Sequence, residues 1–169
     1  DEVEGIIVNE IDYRDKSKII SVLTNKGLIG MIAKGCKGAK SMLRSCTDKL
    51  TYGKFYIKYK ENKLSILNNF DSYSNFKNIK SDFNKLGFTM YLLNLSYQVA
   101  KENFNENIYY NLVDALKKID DGINPLVMTN ILELKLLTYL GVGPILDRCS
   151  ICMNQNNIIG LSTSKGGLV

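Results

Sequence analysis

The pattern of hydrophobic and polar residues divides the chain into a strand-like first half and a helix-like second half. Short hydrophobic runs, rich in β-branched residues, recur early in the chain and are separated by turn-forming residues. These runs cover residues 3–11, 19–24, 28–33, 54–60 and 64–67. The segment Asn25-Lys26-Gly27 joins two of them as a tight hairpin turn. Five short strands within about 70 residues are typical of a small β-barrel of the oligonucleotide/oligosaccharide-binding (OB) type.

Beyond residue 80 the hydrophobic spacing changes to that of amphipathic helices. The first helix is expected over residues 83–100, after Ser81 or Asp82, either of which could cap its N-terminus. A second helix is expected over residues 106–119. The third, residues 124–141, opens with Asn followed by Pro, a pair that favours a helix start. This third helix is apolar on nearly all sides, so we expect it to be the central, buried helix of a small bundle.

Together the two patterns predict an α+β fold, in which an N-terminal OB barrel is followed by an α-helical domain. The predicted boundaries are residues 1–80 for a nucleic-acid-binding barrel and 81–147 for the helical domain. Residues 148–169 are expected to begin a zinc-binding segment, a zinc knuckle truncated to its first half.

The absence of histidine restricts the chemistry of the chain. With no His among its 169 residues, the chain cannot by itself build a Ser-His-Asp triad, an HExxH zinc site or a histidine proton shuttle. Most familiar hydrolase mechanisms are therefore excluded, and a non-enzymatic binding module becomes the first interpretation.

Two further features indicate a cytosolic protein with no membrane partner. No stretch approaches the roughly 18 consecutive apolar residues that a membrane span requires. The acidic start, Asp1 to Glu4, does not resemble the basic region that opens a signal peptide.

Basic residues are concentrated in the predicted barrel. Residues 14–60 contain 12 Lys and Arg against 2 acidic residues, a net charge of +10, whereas the whole chain carries only +5. Such a surface is expected to attract polyanions, with Tyr56 offering a stacking face between lysines. The residues that we expect to contact nucleic acid are Arg14, Lys16, Lys18, Lys34, Lys37, Lys40, Arg44, Lys54, Tyr56, Lys58 and Lys60.

Other interpretations of the basic residues remain open. Lysines at alternate strand positions also serve simply as a solvated face that discourages edge-to-edge aggregation. A scaffold that docks an acidic partner protein is a second alternative. An ATP site is not favoured, because Gly35 and Gly38 lack the GxxxxGK[ST] spacing.

The CxxC formed by Cys149 and Cys152 provides half of a structural zinc site, which needs four ligands. The same spacing also occurs in thioredoxin-like redox pairs, although these follow a strand and here the preceding segment is helical. Two incidental buried cysteines are a third interpretation. Cys36 and Cys46 are more typical of small core or loop residues than of ligands.

Several short motifs occur in an order and spacing that resemble the RecO family of bacterial recombination mediators. The resemblance runs along essentially the whole chain and depends on the order of the motifs rather than on any one of them. The motifs are Glu4-Gly5-Ile6-Ile7-Val8, Asp12-Tyr13, Lys18-Ile19, Leu23-Thr24-Asn25-Lys26-Gly27, Ala33-Lys34-Gly35, Lys40-Ser41, Leu140-Gly141 and Leu146-Asp147-Arg148-Cys149-Ser150-Ile151-Cys152.

The resemblance implies an OB fold, a helical domain and, in some members, a zinc knuckle. It also implies a non-enzymatic role in DNA repair and recombination: binding single- and double-stranded DNA, annealing complementary strands, and helping RecA replace single-strand-binding protein (SSB). The implied partners are RecR and the acidic, hydrophobic tail of SSB, in the cytoplasm at the nucleoid. The family's zinc ligands carry over only to Cys149 and Cys152, and a second cysteine pair is expected soon after a segment like Gly166-Gly167.

Overall fold

The computed structural model describes residues 1–169, and the strands of the first half close into a barrel. The strands follow one another around the barrel in the order β1-β2-β3-β5-β4. They are β1 (Glu2–Tyr13), β2 (Ser17–Thr24), β3 (Gly27–Ala33), β4 (Tyr52–Lys58) and β5 (Ser65–Ser74). This arrangement confirms the OB-type barrel predicted from the sequence, although β5 extends seven residues beyond the predicted run, which ended at Leu67.

The closure of the barrel depends on the long strand β1 and on a short contact between β3 and β5. β1 pairs with β4 through Glu2–Ile6 and with β2 through Ile6–Tyr13, with a bulge after Ile7 that bends the strand from one neighbour to the other. β3 and β5 are parallel and pair only through Met31 with Ser65 and Ile32 with Ile66. We call this two-pair contact the seam.

Alternating side chains fill the barrel. The buried interior residues are Ile7, Ile20, Val22, Met31, Ala33, Cys36, Phe55, Ile57 and Leu67. The ring of Phe55 lies 4.8 Å, centroid to centroid, from that of Phe70. Because successive strand residues face opposite sides, this interior set leaves the residues between them on the outer surface.

Four helices follow the barrel: α1 (Lys77–Lys80), α2 (Phe83–Glu102), α3 (Glu106–Asp120) and α4 (Pro125–Tyr139). The side chains of Asp82, Asn105 and Asn124 each accept a backbone N–H of the first helical turn and so cap α2, α3 and α4. Of these caps, Asp82 and Asn124 were predicted from the sequence. The short helix α1 falls in a segment for which the sequence predicted neither a strand nor a helix.

The prediction that the third long helix is the buried centre of the bundle is wrong. Only four residues of α4 are buried, compared with seven of α3, and the outward side chains of α4 are 38–51% exposed. These outward residues are Leu126, Val127, Ile131, Leu134 and Leu137. A helix that is apolar on all sides favours burial, but its sequence does not determine how many other elements pack against it.

The helices cover one part of the outer barrel surface. Ile6, Leu23 and Tyr52 project outward from the barrel and join a core of 21 buried residues that also includes Leu92 of α2 and Leu112 of α3. The rest of the outer surface of β1, β2 and β3 remains free of helices.

A small three-stranded sheet of β6 (Ile145–Cys149), β7 (Leu161–Ser162) and β8 (Gly167–Leu168) follows α4, in the order β6-β8-β7. None of the helices has the length and hydropathy needed to cross a lipid bilayer.

Candidate nucleic-acid interface

A row of isoleucines crosses the outer surface of four adjacent barrel strands. Ile11 pairs with Ile19, Ile19 with Ile32, and Ile32 with Ile66. Paired residues on neighbouring strands project to the same side, so the four side chains form one apolar strip. Ile11 is 54% exposed and the other three are half-buried. The row is invisible in the sequence, because it depends on the register between strands.

Two turns border this row. Lys58 pairs with Ile66 and therefore lies at the β4 end of the row, next to the β4–β5 turn. At the other end Tyr13 follows Ile11 by two residues, and the Arg14 guanidinium carbon lies 5.1 Å from the centre of the Tyr13 ring. Oligonucleotides bind OB barrels across strands 2 and 3, between the β1–β2 and β4–β5 connections. We call the isoleucine row and its bordering turns the β2–β3 face.

The glycine-rich loop after β3 folds back onto the β1–β2 turn. The backbone N–H of Lys37 donates to the Lys16 carbonyl at 3.1 Å, and the N–H of Gly35 donates to Ser17 Oγ at 3.2 Å. A small cavity of about 220 Å³ further on is lined by Lys18, Lys37 and Arg44 together. The structure thus brings the predicted cations of the turn and of the loop into one region.

Two of these cations are already neutralised by carboxylates. Lys18 Nζ lies 2.5 Å from Asp48 Oδ1 and 3.5 Å from Glu10 Oε1, and Lys37 Nζ lies 2.6 Å from Asp12 Oδ2. Burial acts to lower the pKa of Lys18, but its carboxylate partners raise it overall. The hydrogen bond from Lys37 lowers the pKa of Asp12. The predicted cations that form no ion pair are Arg14, Lys16, Lys34, Lys40, Arg44, Lys58 and Lys60.

Lys54 and Tyr56 lie in a different, acidic environment on the outer side of β4. Lys54 Nζ is 3.3 Å from Glu2 Oε1, and the Tyr56 hydroxyl donates to Asp71 Oδ2 at 2.8 Å. These bonds raise the pKa of the Lys54 ammonium and of the Tyr56 phenol. Both residues therefore have acidic partners, unlike Lys58, which follows Tyr56 by two residues on the same side of β4 and forms no ion pair.

At the β4–β5 turn, Tyr59, Lys63 and Leu64 join the predicted Lys60, although the sequence had not indicated them as contacts. Lys60 and Lys63 line a cleft of about 550 Å³ together with Tyr59 and Leu64, which are 53% and 40% exposed. Tyr59 offers an exposed ring beside unpaired lysines, the role that the sequence had assigned to Tyr56. Its exposure arises because β4 ends at Lys58, one residue before it.

The CxxC begins at the last residue of β6 and forms a tight turn, so the segment directly before it is a strand and not the helix expected from the sequence. The Cys149 sulfur accepts the backbone N–H of Cys152 at 3.5 Å and of Ile151 at 3.4 Å, and these bonds lower the pKa of the Cys149 thiol. Two thiols presented in this way suit one edge of a tetrahedral zinc site. No third Cys, Asp or Glu lies close enough to complete it. Cys36 and Cys46 are buried in the barrel region, where burial raises the pKa of Cys46 to about 11.

Comparison with known proteins gives one consistent family. The family model described as "Recombination protein O N terminal" matches residues 2–76, and that described as "Recombination protein O C terminal" matches residues 80–169.

Full-length relatives agree with these models. The chain is 32% identical over 168 residues to the DNA repair protein RecO of Listeria monocytogenes serotype 4b, an alignment that covers 98% of this chain and 66% of the relative. It is 29% identical over 168 residues to the RecO of Halalkalibacterium halodurans, covering 98% of this chain and 66% of that protein. The chain thus spans just under two thirds of the length of these relatives. On the two family models and these relatives together, the chain belongs to the RecO family.

Proposed function

We propose that this chain acts in recombinational DNA repair and binds single- and double-stranded DNA on the β2–β3 face. The observation that carries the proposal is an exposed apolar row with unpaired cations in two groups. Arg14, Lys16, Lys58 and Lys60 lie at the turns that border the row, and Lys34, Lys40 and Arg44 lie in the loop after β3, which folds back onto the β1–β2 turn. The relatives, which are named as DNA repair proteins, support the same assignment. In this role the protein works in the cytoplasm, at the nucleoid.

The proposed action is strand annealing without catalysis. Lys and Arg side chains hold phosphates and release condensed counterions, which gives binding that is independent of sequence and weakens steeply with salt. Tyr59 and the isoleucine row support bases and sugars without reading their edges. Two complementary strands that share one cationic surface repel each other less, so base pairing proceeds with no covalent bond made or broken.

The experiment measures oligonucleotide affinity over a series of salt concentrations. Replacing Lys34, Lys40 and Arg44 with alanine removes three unpaired cations, so the slope of log affinity against log salt for single strands should become shallower by about 2. Lys54→Ala is the matched control, because Lys54 is already paired with Glu2 and should leave the slope unchanged. Equal slopes for all three proteins, or an equal loss in the control, would refute this location of the site.

A second candidate function is docking of an acidic protein on the same face. The isoleucine row favours it, because contacts to phosphates alone need no apolar strip. Adding an acidic protein as competitor in the same assay separates the two functions. A protein partner is favoured if the competitor displaces DNA and if this displacement is lost when either the isoleucines or the lysines are substituted.

We also propose the partners that the family suggests: RecR, the SSB tail and, indirectly, RecA. A groove of about 570 Å³ between α2 and α4 offers apolar side chains to the hydrophobic part of the tail, with Phe83 93% exposed and Leu126 51% exposed. Its lining contains no Lys or Arg and includes Glu133, so the acidic part of the tail would contact residues outside it. Gly87 lines the groove and leaves its floor open. Weaker binding of an SSB-tail peptide by Phe83→Ala than by the unmodified chain would support this placement, and equal binding would contradict it.

For the CxxC we propose that Cys149 and Cys152 hold zinc in a knuckle when two further ligands are supplied. Zinc would then fix the geometry of the segment after β6 and take no part in DNA chemistry. Stoichiometric zinc that is lost in Cys152→Ser would support the assignment, and metal content unchanged by that substitution would contradict it.

A further inference from the structure

A second cleft, separate from the β2–β3 face, opens between the barrel and α3. Its volume is about 480 Å³, and none of its lining residues is among the predicted DNA contacts. The cleft exists because β1 and β2 diverge: residues Glu2–Gly5 of β1 pair only with β4, and pairing with β2 begins at Ile6. α3 lies across this opening beside the β2–β3 turn.

The carboxylates that line the cleft already have partners. Glu2 is bonded to Lys54 at 3.3 Å, and Glu4 Oε1 accepts the hydroxyl of Tyr73 at 2.6 Å. Asp114, the third, is paired within α3 to the lysine four residues later at 2.7 Å. Glu2 and Asp114 are therefore paired with lysines outside the lining, whereas Glu4 keeps its charge and is hydrogen-bonded to a neutral hydroxyl.

The two cations in the lining have no such partners. Lys26 of the β2–β3 turn and Lys117 of α3 face the same cleft and form no ion pair. The Lys117 ammonium lies 5.4 Å from the centre of the Tyr52 ring, which places it over an aromatic wall. One lysine from each structural unit thus remains free to meet an anion.

An exposed aromatic ring completes the lining. Tyr110 is 50% exposed, and its ring packs edge-on against that of Tyr109 at 5.2 Å between centroids. Its hydroxyl accepts a hydrogen bond from Asn25 Nδ2 at 3.3 Å. These two contacts restrain the ring, which lines the cleft and stays half exposed.

We propose that this cleft binds a nucleoside phosphate. Lys26 and Lys117 contact the phosphate as point charges, and the base stacks on Tyr110. Pockets of about 300–1,000 Å³ suit small organic ligands, and a cleft of about 480 Å³ suits one nucleotide unit rather than a length of strand. The unit comes either from a free nucleotide or from the phosphorylated end of a strand, since both present the same chemistry.

The experiment uses titration calorimetry to measure the affinity of the chain for deoxyadenosine 5′-monophosphate. Deoxyadenosine, which lacks the phosphate, should bind about tenfold more weakly, the loss expected for contacts to a charged group. A 5′-phosphorylated tetranucleotide and its unphosphorylated counterpart identify the source. Binding of the mononucleotide alone indicates a free nucleotide, and a preference for the phosphorylated tetranucleotide indicates a strand end.

Substitutions locate the binding site. Lys26→Ala and Lys117→Ala should each weaken mononucleotide binding by about fivefold to tenfold, and Tyr110→Ala by a similar factor, whereas Tyr110→Phe keeps the stacking face and should bind nearly normally. Lys101→Ala is the matched control, because Lys101 also lies over a tyrosine ring, that of Tyr97 at 5.3 Å, but on α2 outside the cleft.

The two proposed sites fail independently. No binding of either the mononucleotide or the phosphorylated tetranucleotide, or equal binding by the Lys26 and Lys117 variants and the Lys101 control, would overturn the nucleotide site. The variant with alanine at Lys34, Lys40 and Arg44 should keep mononucleotide binding, since it alters no residue of the cleft.

Discussion

Whether a charged or hydroxyl-bearing side chain is available to bind a ligand depends on the residue that the fold places beside it. Lys34 and Lys54 look alike in the sequence, but Lys54 is bonded to Glu2 while Lys34 has no acidic partner. The sequence grouped the basic residues of the loop because they are close along the chain. It could not show the carboxylates of β1 and β5 beside β4, because these come from distant positions.

In the same acidic surroundings, the ionisation of one tyrosine makes the stability of the fold depend on pH at high pH. Tyr73 donates to Glu4 at 2.6 Å, and this bond raises the pKa of Tyr73 from 10.0 to about 12. Since the folded state holds the phenolic proton more tightly than the unfolded state, the stabilisation is complete below pH 10 and is lost as the pH rises through about 12.

Denaturation midpoints measured from pH 9 to pH 12 test this bond. Tyr73→Phe lacks the ionising group and should show a shallower decline at high pH than the unmodified chain. Tyr59→Phe, a tyrosine with no hydrogen-bond partner in the fold, is the control. Identical declines for Tyr73→Phe and the unmodified chain would exclude the proposed linkage.

At the scale of elements, Gly53 in β4 and Gly87 in α2 differ in whether the fold leaves room for a Cβ atom. A Cβ at Gly53 in β4 would overlap the carbonyl oxygen of Asp71 on β5 and lie 2.8 Å from the Phe70 ring. A Cβ at Gly87 in α2 would meet no atom within 4 Å. Gly53→Ala should therefore destabilise the fold by about 3 kcal/mol. Gly87→Ala should stabilise it by about 0.5–1 kcal/mol, because alanine favours the helix.

Urea denaturation of the two variants provides the measurement. Changes of opposite sign are expected, so each variant is a control for the other. Destabilisation by Gly87→Ala, or no change with Gly53→Ala, would contradict the packing described for these elements.

Local signals predicted the elements better than they predicted the contacts of those elements. The Asn25-Lys26-Gly27 turn and the Asp82 cap lie where the sequence placed them, because a few neighbouring residues determine each one. The exposed side of α4 and the isoleucine row were not predicted. Both depend on which elements become neighbours, and that information is spread over the whole chain.

At the scale of the whole molecule, the barrel and the helices share one hydrophobic core. Phe76, between β5 and α1, is buried and joins the barrel residue Tyr52 at 6.0 Å between ring centroids. Its backbone has a φ of 44°, a left-handed conformation that is unusual for a bulky residue and fixes the chain direction from strand to helix. The two parts are therefore held in a defined relation rather than joined by a loose linker.

The seam between β3 and β5 is the place where the barrel should open most easily, because fewer residue pairs join these two strands than join the other neighbours. Ile20 in β2 has a strand neighbour on each side, whereas β3 is joined to β5 by two residue pairs only. Backbone amides of Ile32 and Ser65 should therefore exchange with deuterium through local fluctuations, well before those of Ile20, which should wait for global unfolding. Equal protection factors at the three positions would mean that the five strands separate in a single cooperative event.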